Sequence, residues 1–467
     1  MDEPGPLTWS VRTLIRAYRG RELSPVEVTR QALDRITVHN DRLSCFVTVT
    51  AESALGQARL AERRYAAGRR GPLLGVPTSI KDLFHVRGVV STLGSLTDSR
   101  VVSRRDSGAV RRLRAAGAVF LGKTNVPEFG QSATTENLIR PPTRNPWNPA
   151  RTPGGSSGGA AASVAAGLAS VALGSDGGGS IRIPAGFCGL VGFKPSIGLC
   201  PDESGFRAMS AFCCPGPITR RVDDARVMLD VLSGHPQPRR SVPPNLRIAW
   251  CPTLDGRPVG EGVVRRAADA VCGLRKLGCK LIEASPPIQG WADLFRILVL
   301  AEEWKRRGHL LESDAPRLSD YERRTLVAGS RLQPREVLAA TTGLRAFRAR
   351  FAQFFHACDL IALPTTAVTA FPIGRRPRRI RGRRVDWLWG PFPFTPMFNV
   401  AGVPAVTLPC GLTRGLPVGI QLVAPFGGDG LLLDVAEALE RQLNFDTTRA
   451  LGAWSATAES VPTEVGT

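Results

Sequence analysis

Between residues 24 and 173 the chain alternates helical and strand-like patterning, and this alternation narrows the fold more than any other feature. Ser24-Pro25-Val26-Glu27 is a capping box with proline at the first helical position. Val28, Ala32, Leu33 and Ile36 then recur on one helical face up to about Asn40. A second helix is expected over 52–67. Gly75-Val76-Pro77-Thr78-Ser79-Ile80 reads as a turn into a short strand that ends at Lys81. A helix over 106–116, a buried strand over 118–121, a small-residue helix over 157–168 and a strand over 170–173 follow. The βαβα order predicts an α/β fold, with a mixed, largely parallel β-sheet core sandwiched by α-helices.

Past a Pro-rich connector at 236–244, strands are expected over 246–250, 280–283 and 360–363. Helices are expected over 263–277 and through most of 290–355. Residues 405–408 and 419–423 read as paired strands, and 430–443 as a closing helix. This pattern favours one domain over 1–467, with a mainly helical insertion at 255–357, over two independent domains. The Thr-, Ala-, Ser- and Glu-rich segment 446–467 is expected to be loose.

Composition excludes several classes. Hydrophobic residues make up 43% and charged residues 22%, so a disordered chain, a collagen-like chain and a disulfide miniprotein are ruled out. The formal charge is +21, yet only six of the 61 cations are lysines. Arginine spread along the whole chain reads as compositional bias, not as a focused patch, and no nucleic-acid partner is expected. The run Arg375, Arg376, Arg378, Arg379, Arg381, Arg383 and Arg384 reads as a solvated loop. Ten cysteines without a C-x-x-C pair, and five scattered histidines, give no metal site, and buried reduced thiols are expected. Cys213 and Cys214 are adjacent and cannot readily bridge each other. The uncharged run 152–175 is weakly apolar and broken by glycine, and 387–413 is broken by five prolines, so no membrane span is expected. The first residues carry no basic stretch leading into an apolar one, so a cytoplasmic location is expected. Gly117 to Thr124 matches the spelling of a phosphate-binding loop, but its four central residues are strand-like and apolar, and Pro127 follows.

The chemistry concentrates in Pro153-Gly-Gly-Ser156-Ser157-Gly-Gly159 and Gly174-Ser-Asp176-Gly177-Gly178-Gly179-Ser180-Ile-Arg182-Ile-Pro184. Three glycines before a serine let the backbone turn sharply and aim several N–H groups at one point, as an oxyanion hole requires. Ser180, closing that turn, is suited to be an exposed nucleophile. Such a serine needs a base, and no histidine stands in a suitable context. A desolvated lysine can serve, because burial favours its neutral form, whereas arginine stays protonated. Lys81 is the candidate in a chain that otherwise prefers arginine.

With these residues the chain resembles the amidase signature family. Gly75-Val-Pro77…Ile80-Lys81-Asp82, Gly122-Lys-Thr-Asn125…Glu128-Phe129 and Arg144-Asn-Pro-Trp147 match its blocks, together with the two serine motifs and Gly192-Phe-Lys194-Pro-Ser196. Gly402-Val-Pro404…Pro409-Cys-Gly411 and Gly415 to Gln421 add the C-terminal blocks. The likeness covers about 10–445 and is densest in 71–198. It implies a triad in which Ser180 is the nucleophile, Ser156 the bridging serine with a cis peptide, and Lys81 the base. It further implies oxyanion donors from Gly177, Gly178, Gly179 and Ser180. Ser157, Asp176 and Arg182 would hold the loop through hydrogen bonds. Lys123 and Lys194 would serve structure, and Trp387 and Trp389 would either line a substrate entrance or pack internally. No cofactor is implied, and a homodimer is left open.

The implied activity is hydrolysis of a small-molecule carboxylic amide to an acid and ammonia or an amine. The alternative is the A subunit of a glutamyl-tRNA(Gln) amidotransferase, which shares the triad and hydrolyses glutamine. Ahead of Phe398 the chain lacks the Tyr-x-Asn-Asp-like pattern associated with that subunit, and Ile183 stands where that subunit has glutamine. A third reading is a basic binding module without catalysis. Two departures from the family pattern bear on the pocket: Gly177, usually a larger residue, and the loop 200–215 with Cys200, Cys213 and Cys214.

Overall fold

The computed structural model describes residues 5–203 and 205–454. In chain order its strands are β1 (Phe46–Val49), β2 (Pro77–Lys81), β3 (Val119–Thr124), β4 (Val171–Asp176), β5 (Val191–Lys194), β6 (Cys214–Thr219) and β7 (Arg247–Trp250). They continue with β8 (Lys280–Ile282), β9 (Leu360–Pro364), β10 (Arg379–Ile380), β11 (Arg383–Arg384), β12 (Ala405–Thr413) and β13 (Leu416–Val423). β10 and β11 pair with each other, and the rest form one 11-stranded sheet ordered β1-β3-β2-β4-β6-β5-β12-β13-β9-β7-β8. Parallel ladders fall in two blocks, β3-β2-β4 and β9-β7-β8. Antiparallel ladders join those blocks through β6, β5, β12 and β13, and add β1 at one edge. The sheet is mixed and flanked by helices, the α/β architecture that the sequence predicts.

Alternation along the strands builds a core on each face. On β3, Phe120 joins one apolar cluster while Val119 and Leu121 join another, with the helices Pro25–Leu43 and Ala51–Ala66. On β4, Val171 and Leu173 face the large cluster while Ala172 packs with Ala161, Val164 and Ile181. The large cluster also takes in Ala225, Leu229, Leu274 and Leu433 from helices Val222–Ser233, Glu261–Lys276 and Asp429–Leu443. The sheet therefore carries strands from both sides of the Pro-rich connector on a shared apolar layer.

Several elements escape the sequence pattern. β6 reads Cys-Pro-Gly-Pro-Ile-Thr, a poor strand by composition. It is tolerated because its ladder to β5 involves only Ile218 and Thr219, so Pro215 and Pro217 pair on one side alone, with β4. β5 and the helices Val11–Gly20, Arg182–Cys188 and Val222–Ser233 likewise lie outside the expected elements. The resemblance to a phosphate-binding loop ends in β3, where Lys123 forms a buried ion pair with Asp82. No helix among the described residues is long and apolar enough to cross a membrane.

The expectation of a loose segment from residue 446 is corrected as far as Trp454. Arg449–Trp454 forms a 3-10 helix, and Trp454 is fully buried. Its indole N–H donates to the Pro146 carbonyl at 3.0 Å, its ring meets His39 edge-on, and the Arg42 guanidinium lies 4.5 Å above it. Residues 455–467 of that segment lie outside the described residues. Trp454→Ala should lower the unfolding free energy by about 3–5 kcal/mol, as large-to-small core changes do, in urea titrations. A change within about 0.5 kcal/mol, the scale of a surface substitution, would show that the anchor is not part of the core.

Candidate active site

β2 and β4 run parallel and adjacent, with Ile80 opposite Leu173, so Lys81 and Ser175 emerge at the same, carboxyl, edge of the sheet. Ligand sites of α/β sheets form at such edges. The Lys81 side chain is wholly buried. Its Nζ lies 2.7 Å from Ser156 Oγ, and it donates to Ser175 Oγ at 2.9 Å and to the Ser175 carbonyl at 3.2 Å. No carboxylate of the described residues forms an ion pair with it. Burial pulls its amine down from 10.5 to about 7, against smaller upward pulls from Cys213 and Asp176. Ser156 sits just before helix Gly158–Ala165, and the Gly155–Ser156 peptide is cis, the isomer expected there.

Asp176, at the end of β4, and Arg182, at the start of helix Arg182–Cys188, form a wholly buried ion pair. Arg182 donates to Asp176 through Nε and Nη2, both at 2.9 Å. Its remaining donors reach Gln421 Oε1 at 2.6 Å, Asn399 Oδ1 at 2.5 Å and the Thr395 carbonyl at 3.1 Å. Burial alone would raise the Asp176 carboxyl, but the charge and hydrogen bonds of Arg182 hold it well below the usual range. Ser157 ties the two serine motifs together: its amide donates to the Ser180 carbonyl at 3.1 Å, and its hydroxyl donates to the Ser175 carbonyl at 3.2 Å.

The glycine loop needs one correction. The Gly179 N–H, expected to face an oxyanion, donates to Asp176 Oδ1 at 2.7 Å. A backbone amide has one hydrogen to give, so Gly179 shapes the loop instead. Its φ is +123°, and a Cβ there would fall on Thr395 Oγ1, so only glycine fits. The amides of Gly177, Gly178 and Ser180 have no acceptor among the described residues. The two departures from the family pattern are linked: a Cβ on Gly177 would lie 2.6 Å from Met209 Sδ, so the loop 200–215 fills the space that a larger residue 177 would take.

Ser180 is half-buried and lines two cavities. The smaller, of about 70 Å³, also touches Ser156, Ser175 and Cys213, and burial pushes the Cys213 thiol up to about 12. The larger, of about 360 Å³, has Ser180 and Gly178 on one side and an aromatic wall on the other. In that wall, rings of Trp291, Phe295 and Trp389 meet edge to face at 5.4–6.4 Å. Trp389 therefore lines the larger cavity at Ser180, whereas Trp387 lines a neighbouring one. Ser156 and Ser180 face one cavity but share no hydrogen bond among the described residues.

Residues that the sequence reading missed complete the site. Ser175 supplies two of the three Lys81 contacts, and only the β2–β4 register reveals it. Asn399, Gln421 and Thr395 finish the coordination of Arg182 from the C-terminal third of the chain. Gln131 lines the large cavity with its Nε2 donating to the buried Glu303 at 2.7 Å.

Comparison with known proteins agrees with this architecture. The Amidase family model matches residues 27–433. The A subunit of the glutamyl-tRNA(Gln) amidotransferase of Caldanaerobacter subterraneus subsp. tengcongensis is 32% identical, covering 94% of this chain and 97% of that protein. Its counterpart of the same name from Carboxydothermus hydrogenoformans is 34% identical, covering 94% and 98%. A bacterial aryl acylamidase described as an amidase signature enzyme superposes with a TM-score of 0.87 at 27% identity, covering 97% of this chain and 99% of that one. By its motifs, its fold and the span of the family match, the chain belongs to the amidase signature family, hydrolases that act on carbon–nitrogen bonds.

Proposed function

We propose that the chain hydrolyses a carboxylic amide through an acyl-enzyme on Ser180, with Lys81 as base and Ser156 as proton relay. One observation carries this reading: Lys81 is buried without a carboxylate partner and hydrogen-bonded to Ser156. A neutral amine has two N–H donors and one lone pair. The three Lys81 contacts suit that form, with the two hydrogens on Ser175 and the lone pair toward the Ser156 hydroxyl.

Lys81 takes the Ser156 proton as Ser156 takes that of Ser180, and Ser180 Oγ bonds to the amide carbon. The developing oxyanion is received by the amides of Gly177, Gly178 and Ser180. Lys81 then returns its proton through Ser156 to the leaving nitrogen, and the C–N bond breaks. Water attacks the acyl-enzyme by the same relay, releasing the acid and restoring Ser180. The Ser156–Ser180 hydrogen bond belongs to the substrate complex, since catalytic hydrogen bonds tighten there.

The cavity lining favours an amide with an aryl or other apolar group, packed against Trp291, Phe295, Trp389 and Ile183. A second reading is the one that the curated relatives favour over the first, since those named above are A subunits of glutamyl-tRNA(Gln) amidotransferases. In that reading the substrate is glutamine and the chain works in the cytoplasm as one part of a larger protein assembly. Glutamine would bring a charged ammonium and carboxylate to a cavity whose lining carries Asp293, Asp386, Arg257 and Arg296 as well as the aromatic wall, so it would engage those charges there and leave the rings unused.

Ser180→Ala and Lys81→Arg should each lower kcat/KM by at least about 10³-fold in folded protein, as loss of a catalytic-unit member does. Substantial activity in Lys81→Arg would defeat the neutral-base role, because arginine stays protonated. On an amide panel with ammonia and amine readouts, the best aryl amide should exceed glutamine by about 10-fold or more in kcat/KM, the discrimination an apolar pocket gives. Turnover of glutamine alone, rising on addition of a partner protein, would decide for the second reading.

A further inference from the structure

The Arg375–Arg384 run does not behave as one solvated loop. Arg381 pairs with Glu261, and Arg383 and Arg379 donate to the Gly256 and Gly382 carbonyls. Arg376 instead turns inward. Its Nη2 donates to Ser132 Oγ at 3.1 Å and to Thr134 Oγ1 at 3.2 Å. Its guanidinium lies 4.8 Å from the Trp387 ring centre and 5.8 Å from that of Phe392. Its Nη1 is buried with no hydrogen-bond partner among the described residues. No carboxylate of those residues is within ion-pair distance of Arg376, Arg375 or Arg378.

These three arginines line a cavity of about 530 Å³ together with Trp387. Three carboxylates also reach it, but two are engaged elsewhere. Glu128 accepts from Ser95 at 2.6 Å and from the Ser319 amide at 2.8 Å, and Asp320 pairs with Arg323. Glu136 is the third, and it and Asp386 act on the Arg376 guanidinium as nearby charges without forming an ion pair with it. The cavity adjoins the one at Ser180, since Ser132 and Tyr321 line both.

A guanidinium taken out of water without a counter-ion is expensive, and the cost falls when an anion completes it. Arginine's planar fork suits a carboxylate, and the half-exposed Trp387 offers a face for an attached ring. We infer that this cavity is a carboxylate-binding subsite, in which Arg376, flanked by Arg375 and Arg378, receives the acid group of an aryl-carboxylate compound. Because it adjoins the cavity that Ser180 lines, that compound is an amide substrate carrying a second, free carboxylate. This assignment to substrate rests on the amidase reading above, whereas the binding itself does not.

The test uses the full chain carrying Ser180→Ala, so that binding is read without turnover. Calorimetry with benzoate should show binding that weakens by about 10-fold or more when Arg376→Gln is added, the scale of one charge-assisted pair. Benzyl alcohol, lacking the charge, should bind equally to both. Arg375→Gln with Arg378→Gln, at exposed positions, should weaken benzoate by a smaller factor, which keeps the test valid if Arg376→Gln does not fold. Equal benzoate binding across all variants, or none to the starting protein, overturns the proposal. In the active enzyme, benzoate should compete with a carboxylate-bearing amide, and Arg376→Gln should raise KM for that amide but not for its methyl ester. Purely non-competitive inhibition would overturn the substrate assignment and leave a site for a separate carboxylate ligand. An inactive enzyme that still binds benzoate would sink the amidase reading and leave the subsite intact.

Discussion

Everything at this site follows from holding the Lys81 amine inside the protein with only uncharged oxygens in hydrogen-bond contact with it. Burial makes the ammonium form costly and brings the amine to about 7, where it can accept a proton. Arginine could not be tuned in this way, and the chain, which uses arginine almost everywhere else, keeps lysine here. The position is fixed by the sheet itself: β2 and β4 run in parallel register, and their ends deliver Lys81 and Ser175 to one point.

The loop beside Lys81 solves the opposite electrostatic problem. Asp176 and Arg182 are equally buried but fully paired, and Asn399, Gln421 and Thr395 use the remaining donors of Arg182. Removing one partner of such a pair costs about 3–5 kcal/mol, since the other is left charged and dry. That stiffness fixes the glycine loop, and it consumes the Gly179 amide while leaving those of Gly177, Gly178 and Ser180. Arg376 presents a third case: a guanidinium largely removed from water, with hydroxyls and aromatic rings for company and one nitrogen unpartnered.

Much of this was legible in the sequence wherever local patterning and global packing agree. β3 and β4 open with apolar runs that end at a glycine, β2 emerges from a Gly-Val-Pro turn, and the capping box at Ser24 marks a helix that forms there. β6 was hidden because its two prolines oppose strand formation, and only a one-sided ladder permits them. Trp454 was hidden because a single buried aromatic in a polar segment gives no periodicity. At the site, the residue types of Lys81, Ser156 and Ser180 were readable from chemistry and from the family resemblance. Which amides of the glycine loop are free was not, because that depends on where the Asp176 carboxylate points. Nor was the link between Gly177 and Met209, which are 32 positions apart in the chain and meet only in the folded pocket.

The central claim is that a neutral, buried Lys81 drives Ser180 through Ser156. It is tested most directly by the rate at which a fluorophosphonate modifies Ser180, followed by intact-protein mass as a function of pH. The expected rate rises as pH passes through about 7, where the Lys81 amine loses its proton, and is lost in Lys81→Met. A rate that climbs only near 10.5, the value of an unperturbed lysine, or one that survives Lys81→Met unchanged, would contradict that claim.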